Sequence, residues 1–472
     1  MKAQLLQIPS MNRLSPILIA ALLCASTLAI PAGELNVGAA RVNITPPLGV
    51  PLAGYYHERG SDSVHDDLYA HAIVMEKDGV KAALISLDLI TTRRTFVEQA
   101  REFIAAATAI PADHVMISAT HAHTGPILPE STESRSQQRS QKGAQQYVAE
   151  LPQRIAQAVK EADRALSPAR ASAAIGREET IAFNRRFHMT DGSVGWNPGK
   201  LNPNIIKPAG PIDSELPFVH FASPDDTPIA TYVNYAVHLD NVGGLQISAD
   251  LPFSLSQTLA SVLGSEAVTV YVTGAAGDIN HVNVNWSQAQ KGHQNAARMG
   301  VILAGEVLRR WPVLKEVQGP LLARSETVSL SIPPVSPEEV VEAEKIIQTT
   351  KDDTRANFMR LVQAHKIVDL AAREGKPFEV EVQVITLGKD LAWVALPGEI
   401  FVQLGLDLKM DSPFDQTMIA ELANGSIGYI PNVRAYPQGN YEVVSARCSP
   451  GSGEKLVETA IRLLKENHGR AQ

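Results

Sequence analysis

KAALISLDLITTRRTFVEQAREFIAAATAIPADHVMISATHAHTGP, residues 81–126, decides the fold class. Its opening, KAALISLDLI (81–90), is an apolar run of strand length. RTFVEQAREFIAAATAI (94–110) spaces its apolar residues three and four apart, the period of a helix with one buried face. HVMISAT (114–120) is a second apolar run. Strand, helix and strand in that order make a β-α-β unit, whose strands pair in parallel. Asp88, closing LISLD, reads either as a group behind a site or as a cap at the strand end.

The alternation continues. IATYVNYAVH (229–238), AVTVYVTG (267–274), LAWVALPG (391–398) and TMIAELANG (417–425) are further β-rich runs, and helical patterns such as NAARMGVILAGEVLRRW (295–311) lie among them. PPVSPEEVVEAEKIIQTT (333–350) carries the start signals Pro334 and Ser336. With RANFMRLVQAHKIVDLAA (355–372) it predicts a helical hairpin near 336–374, inserted before the last strands. The class expected is α/β, mixed α+β: a large mixed sheet flanked by helices.

The chain has 472 residues and is 44% apolar, enough for a sizeable core, and its net charge of −8 lacks the basic footprint of a nucleic-acid binder. Residues 1–32 differ in character. Lys2 and Arg13 precede the apolar PILIAALLCASTLAIPA (16–32), and the first acid is Glu34. This reads as a cleavable signal peptide for export, its apolar run short for a membrane span. The expected division is a signal peptide at 1–32 and one catalytic domain at 33–472. Cys24 and Cys448 are the only cysteines, so cleavage excludes an intrachain disulfide. ESTESRSQQRSQKGAQQ (130–146) reads as a loop leading into a helix.

His121 and His123 sit just past the strand HVMISAT, and in an extended chain residues two apart face one side. Ligands of α/β sheets collect beyond the carboxyl ends of strands. His238 ends IATYVNYAVH, Glu399 follows LAWVALPG, and Tyr436 and Tyr441 follow TMIAELANG. Two imidazoles and a carboxylate with one position open suit zinc performing hydrolysis. GAAGDIN (274–280) is Gly-rich but lacks the Lys-Ser/Thr of a phosphate-binding loop, so Asp278 is expected to order the loop rather than serve a nucleotide. His188, His281 and His293 read as surface residues.

ATHAHTGP (119–126) resembles the ATHTHSGP segment of the neutral, non-lysosomal ceramidases. NYAVHLDN (234–241), LPGEIFVQLG (396–405) and NGSIGYIPNVRAYPQGNYEV (424–443) are similar to later segments of that family, in the same order. The resemblance runs from about residue 36 to 462. It implies a zinc-dependent amidase acting on a lipid or small N-acyl amide through zinc-activated water. Carried over, His121, His238, Glu399 and Tyr436 would bind one zinc ion per chain, with Tyr429 and Tyr441 as alternative tyrosines. His123 would assist proton transfer, Arg185 of AFNRRF (182–187) would hold substrate oxygen, and Tyr441 would serve as an oxyanion donor. Asn280 stands where the family carries a serine, which favours a water nucleophile over a serine and weakens the case for ceramide itself. The chain also stops soon after the last motif, so no C-terminal β-sandwich domain is expected. Contact with a membrane surface is compatible with this reading. So are a non-ceramide amide or ester as substrate, and a binding protein that has lost catalysis.

Overall fold

β1 (Asn36–Asn43), β2 (Tyr69–Lys77) and β3 (Val80–Leu87) form an antiparallel run, and α1 (Arg94–Thr108) then carries the chain over to β4 (Val115–Ala119). β4 pairs with β3 in parallel, from Ala83↔Val115 to Leu87↔Ala119, as the opening stretch requires. The structure, a computed structural model, describes residues 33–54, 59–128, 142–350 and 354–471. The expected signal peptide and most of the 130–146 loop lie outside them.

β3 is an unbroken apolar run because both its faces are covered. Ala83, Ile85 and Leu87 pack with Val97, Ala100 and Ile104 of α1 and with Leu151 and Ile155 of α2 (Lys142–Arg164). Ala82 and Leu84 turn the other way, into a second core shared with Val270, Trp393 and Met418. Alternation along one strand thus serves two cores.

Two further sheets repeat the plan. β5 (Arg170–Arg177), β6 (Glu215–Ala222) and β7 (Pro228–Tyr235) lead through α3 (Leu251–Leu263) to β8 (Val268–Thr273). α4 (His293–Arg310) and β9 (Lys315–Val317) follow, giving the order β8-β7-β6-β5-β9 with β7 and β8 parallel. β10 (Leu321–Leu330), the helices α5 (Pro337–Thr349) and α6 (Arg355–Ala371), β11 (Phe378–Leu387) and β12 (Leu391–Ala395) come next. The two-residue strand β13 (Glu399–Ile400), α7 (Val402–Asp411), β14 (Gln416–Ala420) and the two-residue β15 (Tyr429–Ile430) follow, and shorter strands lie in the connections. The third sheet runs β10-β11-β12-β14, with β12 and β14 parallel. The short α8 (Tyr441–Ser445) and the long α9 (Ser452–Arg470) end the fold, and Leu456, Ala460 and Leu464 of α9 pack on the third sheet.

The mixed α/β class therefore holds, but as three principal sheets of five, five and four strands rather than one. Apolar runs mark buried strands without recording which strands pair. Each sheet starts antiparallel and ends on a parallel edge made by a β-α-β unit. Those edges meet. The Asn424 amide donates to the Ile117 carbonyl, the Glu421 amide to Thr273, and the Asn234 side chain to Ile419.

The inserted hairpin forms as expected. Ser336 accepts from the Glu339 amide while the Glu339 carboxylate reaches back to the Ser336 amide, a reciprocal cap that fixes the start of α5. An Arg447–Asp369 ion pair ties α6 to the segment after α8.

Arg101 on the buried face of α1 joins the first sheet to the third. Its guanidinium donates to the Val115 carbonyl and to Glu381 of β11, at 2.7 Å for the shorter carboxylate contact. Both side chains are about nineteen-twentieths buried. Glu381→Ala is expected to lower stability in urea unfolding by about 3–5 kcal/mol, because it strands a buried guanidinium.

Candidate metal centre

Each parallel edge delivers one part of the site. The Leu89 carbonyl, beyond β3, takes the His121 and Ala122 amides, and the Ile90 carbonyl accepts from His121 Nδ1 at 2.7 Å. That bond keeps the ring proton on Nδ1 and leaves Nε2 bare, the tautomer a metal ligand needs. His121 itself has φ +70°, so the chain is not extended there as its spacing suggested. The left-handed residue turns its ring toward His238, which follows β7.

Nε2 of His121 lies 2.9 Å from Nε2 of His238 and 3.3 Å from Nε2 of His123. Glu399 Oε2 is 3.4 Å from the first and 3.9 Å from the second. Zinc bonds of about 2.0–2.2 Å at tetrahedral angles put neighbouring ligand atoms roughly 3.3–3.6 Å apart. Three facing imidazole nitrogens cannot satisfy one another by hydrogen bonding alone, and Glu399 Oε2 is buried without a hydrogen-bond partner. A cation among them resolves both problems, so the residues fit a metal ion. His123 belongs to the cluster as closely as the expected ligands do.

Burial holds His123 and His238 well below the usual imidazole range, so both are neutral at pH 7. Burial raises the Glu399 carboxyl, but His121, Arg185 and a hydrogen bond from Tyr429 outweigh it and leave Glu399 below its usual value.

The tyrosine assignment needs correction. Tyr436 does not reach the cluster. It lies in a 3-10 turn, Val433–Gln438, and its hydroxyl donates to the Cys448 carbonyl at 3.1 Å. Tyr429 takes the place beside Glu399, because β15 pairs in parallel with β13 and sets Tyr429 directly across from Glu399. Tyr441 lies one ring further out, edge-on to Tyr429 with centroids 5.4 Å apart.

Arg185 is buried beneath Tyr429. It donates to Tyr429 Oη at 3.0 Å, to the Gly277 carbonyl at 2.8 Å and to Glu442 at 2.8 Å. Most of its hydrogen bonds thus hold protein groups, and it acts on the site through Tyr429. Asp278 orders the loop as expected, accepting from the Val402 amide and the Asn184 side chain. Gly277 lets that loop approach β13, since a Cβ there would lie 2.5 Å from the Glu399 carbonyl. Asn280, in the family's serine place, spends its side chain on Asn197 and the Val282 amide.

Two buried acids escaped the sequence reading. Glu442 is fully buried between Arg185 and Arg186. Glu421 is fully buried just past β14 and accepts from the Ala276 and Ile400 amides, clamping β13 against the turn after β8. Burial, with Glu399 nearby, pushes the Glu421 carboxyl well above its ordinary value, against the Ala276 and Ile400 amides that pull it down. An acid inside the apolar run TMIAELANG was the available signal. His281, read as a surface residue, is buried as well.

Fold and cluster together define a class: a mixed α/β chain with a histidine–carboxylate centre where three parallel sheet edges meet. Known structures share this fold. The neutral ceramidase from Pseudomonas aeruginosa superposes with a TM-score of 0.74 at 17% identity, over 93% of this chain and 75% of that one. A ceramidase complexed with C2 gives 0.74 at 16% identity, over 93% and 76%. At such identity the likeness is one of fold, and in fold it agrees with the resemblance read from the motifs. No protein-family model and no curated protein matches the sequence.

Proposed function

We propose that this chain is an exported zinc-dependent hydrolase that cleaves the amide bond of a ceramide-like N-acyl substrate. The observation that carries the reading is the convergence of three imidazole Nε2 atoms and the Glu399 carboxylate within 2.9–3.9 Å of His121 and His238. Zinc held there would polarise the amide carbonyl and make water a nucleophile at neutral pH. Around it the chain's own groups divide the work. Neutral His123 accepts a proton from the attacking water and returns it to the departing amine. The Tyr429 hydroxyl, backed by Arg185, donates to the oxygen that gains charge. Partly exposed rings support an apolar substrate body: Tyr441 lies 4.3 Å from Trp196, which stacks on Phe358 of α6 at 6.0 Å. Tyr441 then acts as a wall beside Tyr429. Among the described residues no helix is long and apolar enough to cross a membrane. An exported protein acting on a lipid amide at or near a membrane surface is consistent with that.

The test is elemental analysis of the purified chain, joined to turnover on N-acyl amides of graded length and on matched esters. The expected result is about one zinc per chain, with amide hydrolysis abolished by chelation and restored by zinc. Turnover of esters alone would move the substrate class. Zinc without turnover on any substrate would leave a binding protein, and no zinc after supplementation would sink the reading.

A further inference from the structure

A second concavity lies between the first sheet and α3. Its volume is about 410 Å³, within the range of small-ligand sites. Tyr69, His71, Asp88, Phe253 and Tyr271 line it, with Arg41 among the lining groups, and no residue of the histidine–carboxylate cluster does.

Two buried polar atoms on residues that line it have no hydrogen-bond partner. Asp88 is 2% exposed. Its Oδ2 accepts from the Tyr69 amide at 2.9 Å and faces His71 Nε2 at 3.3 Å, while Oδ1 is buried and unpartnered. His71 is 8% exposed, and its Nδ1 is likewise buried and unpartnered. Folded proteins rarely leave such atoms unsatisfied, and two on one cavity call for a common cause. In the tautomer that turns its N–H from Nε2 to Asp88, His71 leaves Nδ1 as an acceptor. Both orphans therefore ask for a donor.

The surroundings narrow its identity. Asp66, Asp67 and Asp88 all line the cavity, whereas the Arg41 guanidinium is drawn over the Tyr69 ring at 5.1 Å. Carboxylates beside aromatic faces suit an organic cation. Among the described residues His71 and Asp88 join no group of ligand atoms compact enough for a metal ion. At the rim, His65 and His293 stack face to face, 3.6 Å apart with planes 9° from parallel, and with Asp66 they form a separate group of ligand atoms close enough for a metal ion, which shares no residue with His71 and Asp88.

We propose that this cavity binds a small organic ammonium ion. Its N–H groups donate to Asp88 Oδ1 and His71 Nδ1, and its apolar body lies against Tyr69, Tyr271 and Phe253. The site is separate from the proposed catalytic centre and does not depend on it.

Calorimetric titration of the full chain with n-butylammonium tests this, with n-butanol and butyrate as neutral and anionic controls. Saturable one-to-one binding of the ammonium alone is expected. Asp88→Asn should weaken it by about 10- to 100-fold, the loss of a charged hydrogen bond. Phe253→Ala, on the solvent side of α3 and safe for folding, should weaken it several-fold. Glu399→Gln should leave it unchanged, which keeps this result independent of the zinc reading. No ammonium binding, equal binding of butanol or butyrate, or ammonium binding that survives both cavity variants would overturn the proposal. So would Asp88-dependent binding of magnesium or zinc in place of the ammonium.

Discussion

Glu399→Gln is expected to lose bound metal and about 10³-fold or more in kcat/KM, while its thermal midpoint stays within a few degrees of the parent. The magnitude follows from charge stabilisation of several kcal/mol at a metal-assisted centre, at 1.36 kcal/mol per decade. The amide keeps the shape and size of the carboxylate. The backbone bonds that seat residue 399, from its own amide to the Gly428 carbonyl and from the Ile400 amide to Glu421, do not involve the side chain. What changes is the negative charge facing His121 and Arg185. Metal content by elemental analysis and turnover should therefore fall together. A variant that kept full zinc and full turnover would show that Glu399 is not a ligand.

Tyr429→Phe and Tyr436→Phe should separate just as sharply. Removing the Tyr429 hydroxyl takes away the donor that Arg185 presents beside Glu399, and losses at such oxyanion donors run to about 10²–10³ in kcat. Its KM should move far less, since the contact strengthens as charge develops on the substrate. Tyr436→Phe loses one hydrogen bond to the Cys448 carbonyl, a stability cost of about 1 kcal/mol, with turnover within about twofold of the parent. Steady-state kinetics on the two variants, run side by side, decides the matter. The opposite pattern would restore the ligand set implied by the family resemblance and refute the geometric one.

The two tyrosines show where legibility ends. The motif around 424–443 is readable as a segment, and so is its place after a strand. Which of its three tyrosines turns inward depends on a two-residue parallel pairing, Glu399↔Tyr429, that leaves no periodic trace. The turn at 433–438 then carries Tyr436 away. By contrast, the β-α-β unit at 81–119 and the hairpin at α5 and α6 were plain, because long apolar periods and caps are local signals. His121, His238 and Glu399 were found as polar groups just past apolar strands, and they do meet. Glu421 and Glu442 were passed over because an acid is ordinarily a surface residue, and only tertiary partners make burial tolerable.

The junction of three sheet edges also governs how the chain must fold. Thr92 donates to the Leu422 carbonyl across 330 positions, and Asn424 Oδ1 accepts from the Ile117 amide across 307. Contacts of such span pay their loop-closure entropy before any reward, so they form late and slowly. Each β-α-β unit is local in sequence, yet residues 121, 238 and 399 face one another only after all three have docked. On the proposed reading, ion capture is then a terminal event that latches the assembled chain, and a nascent polypeptide lacks the centre until its final third arrives.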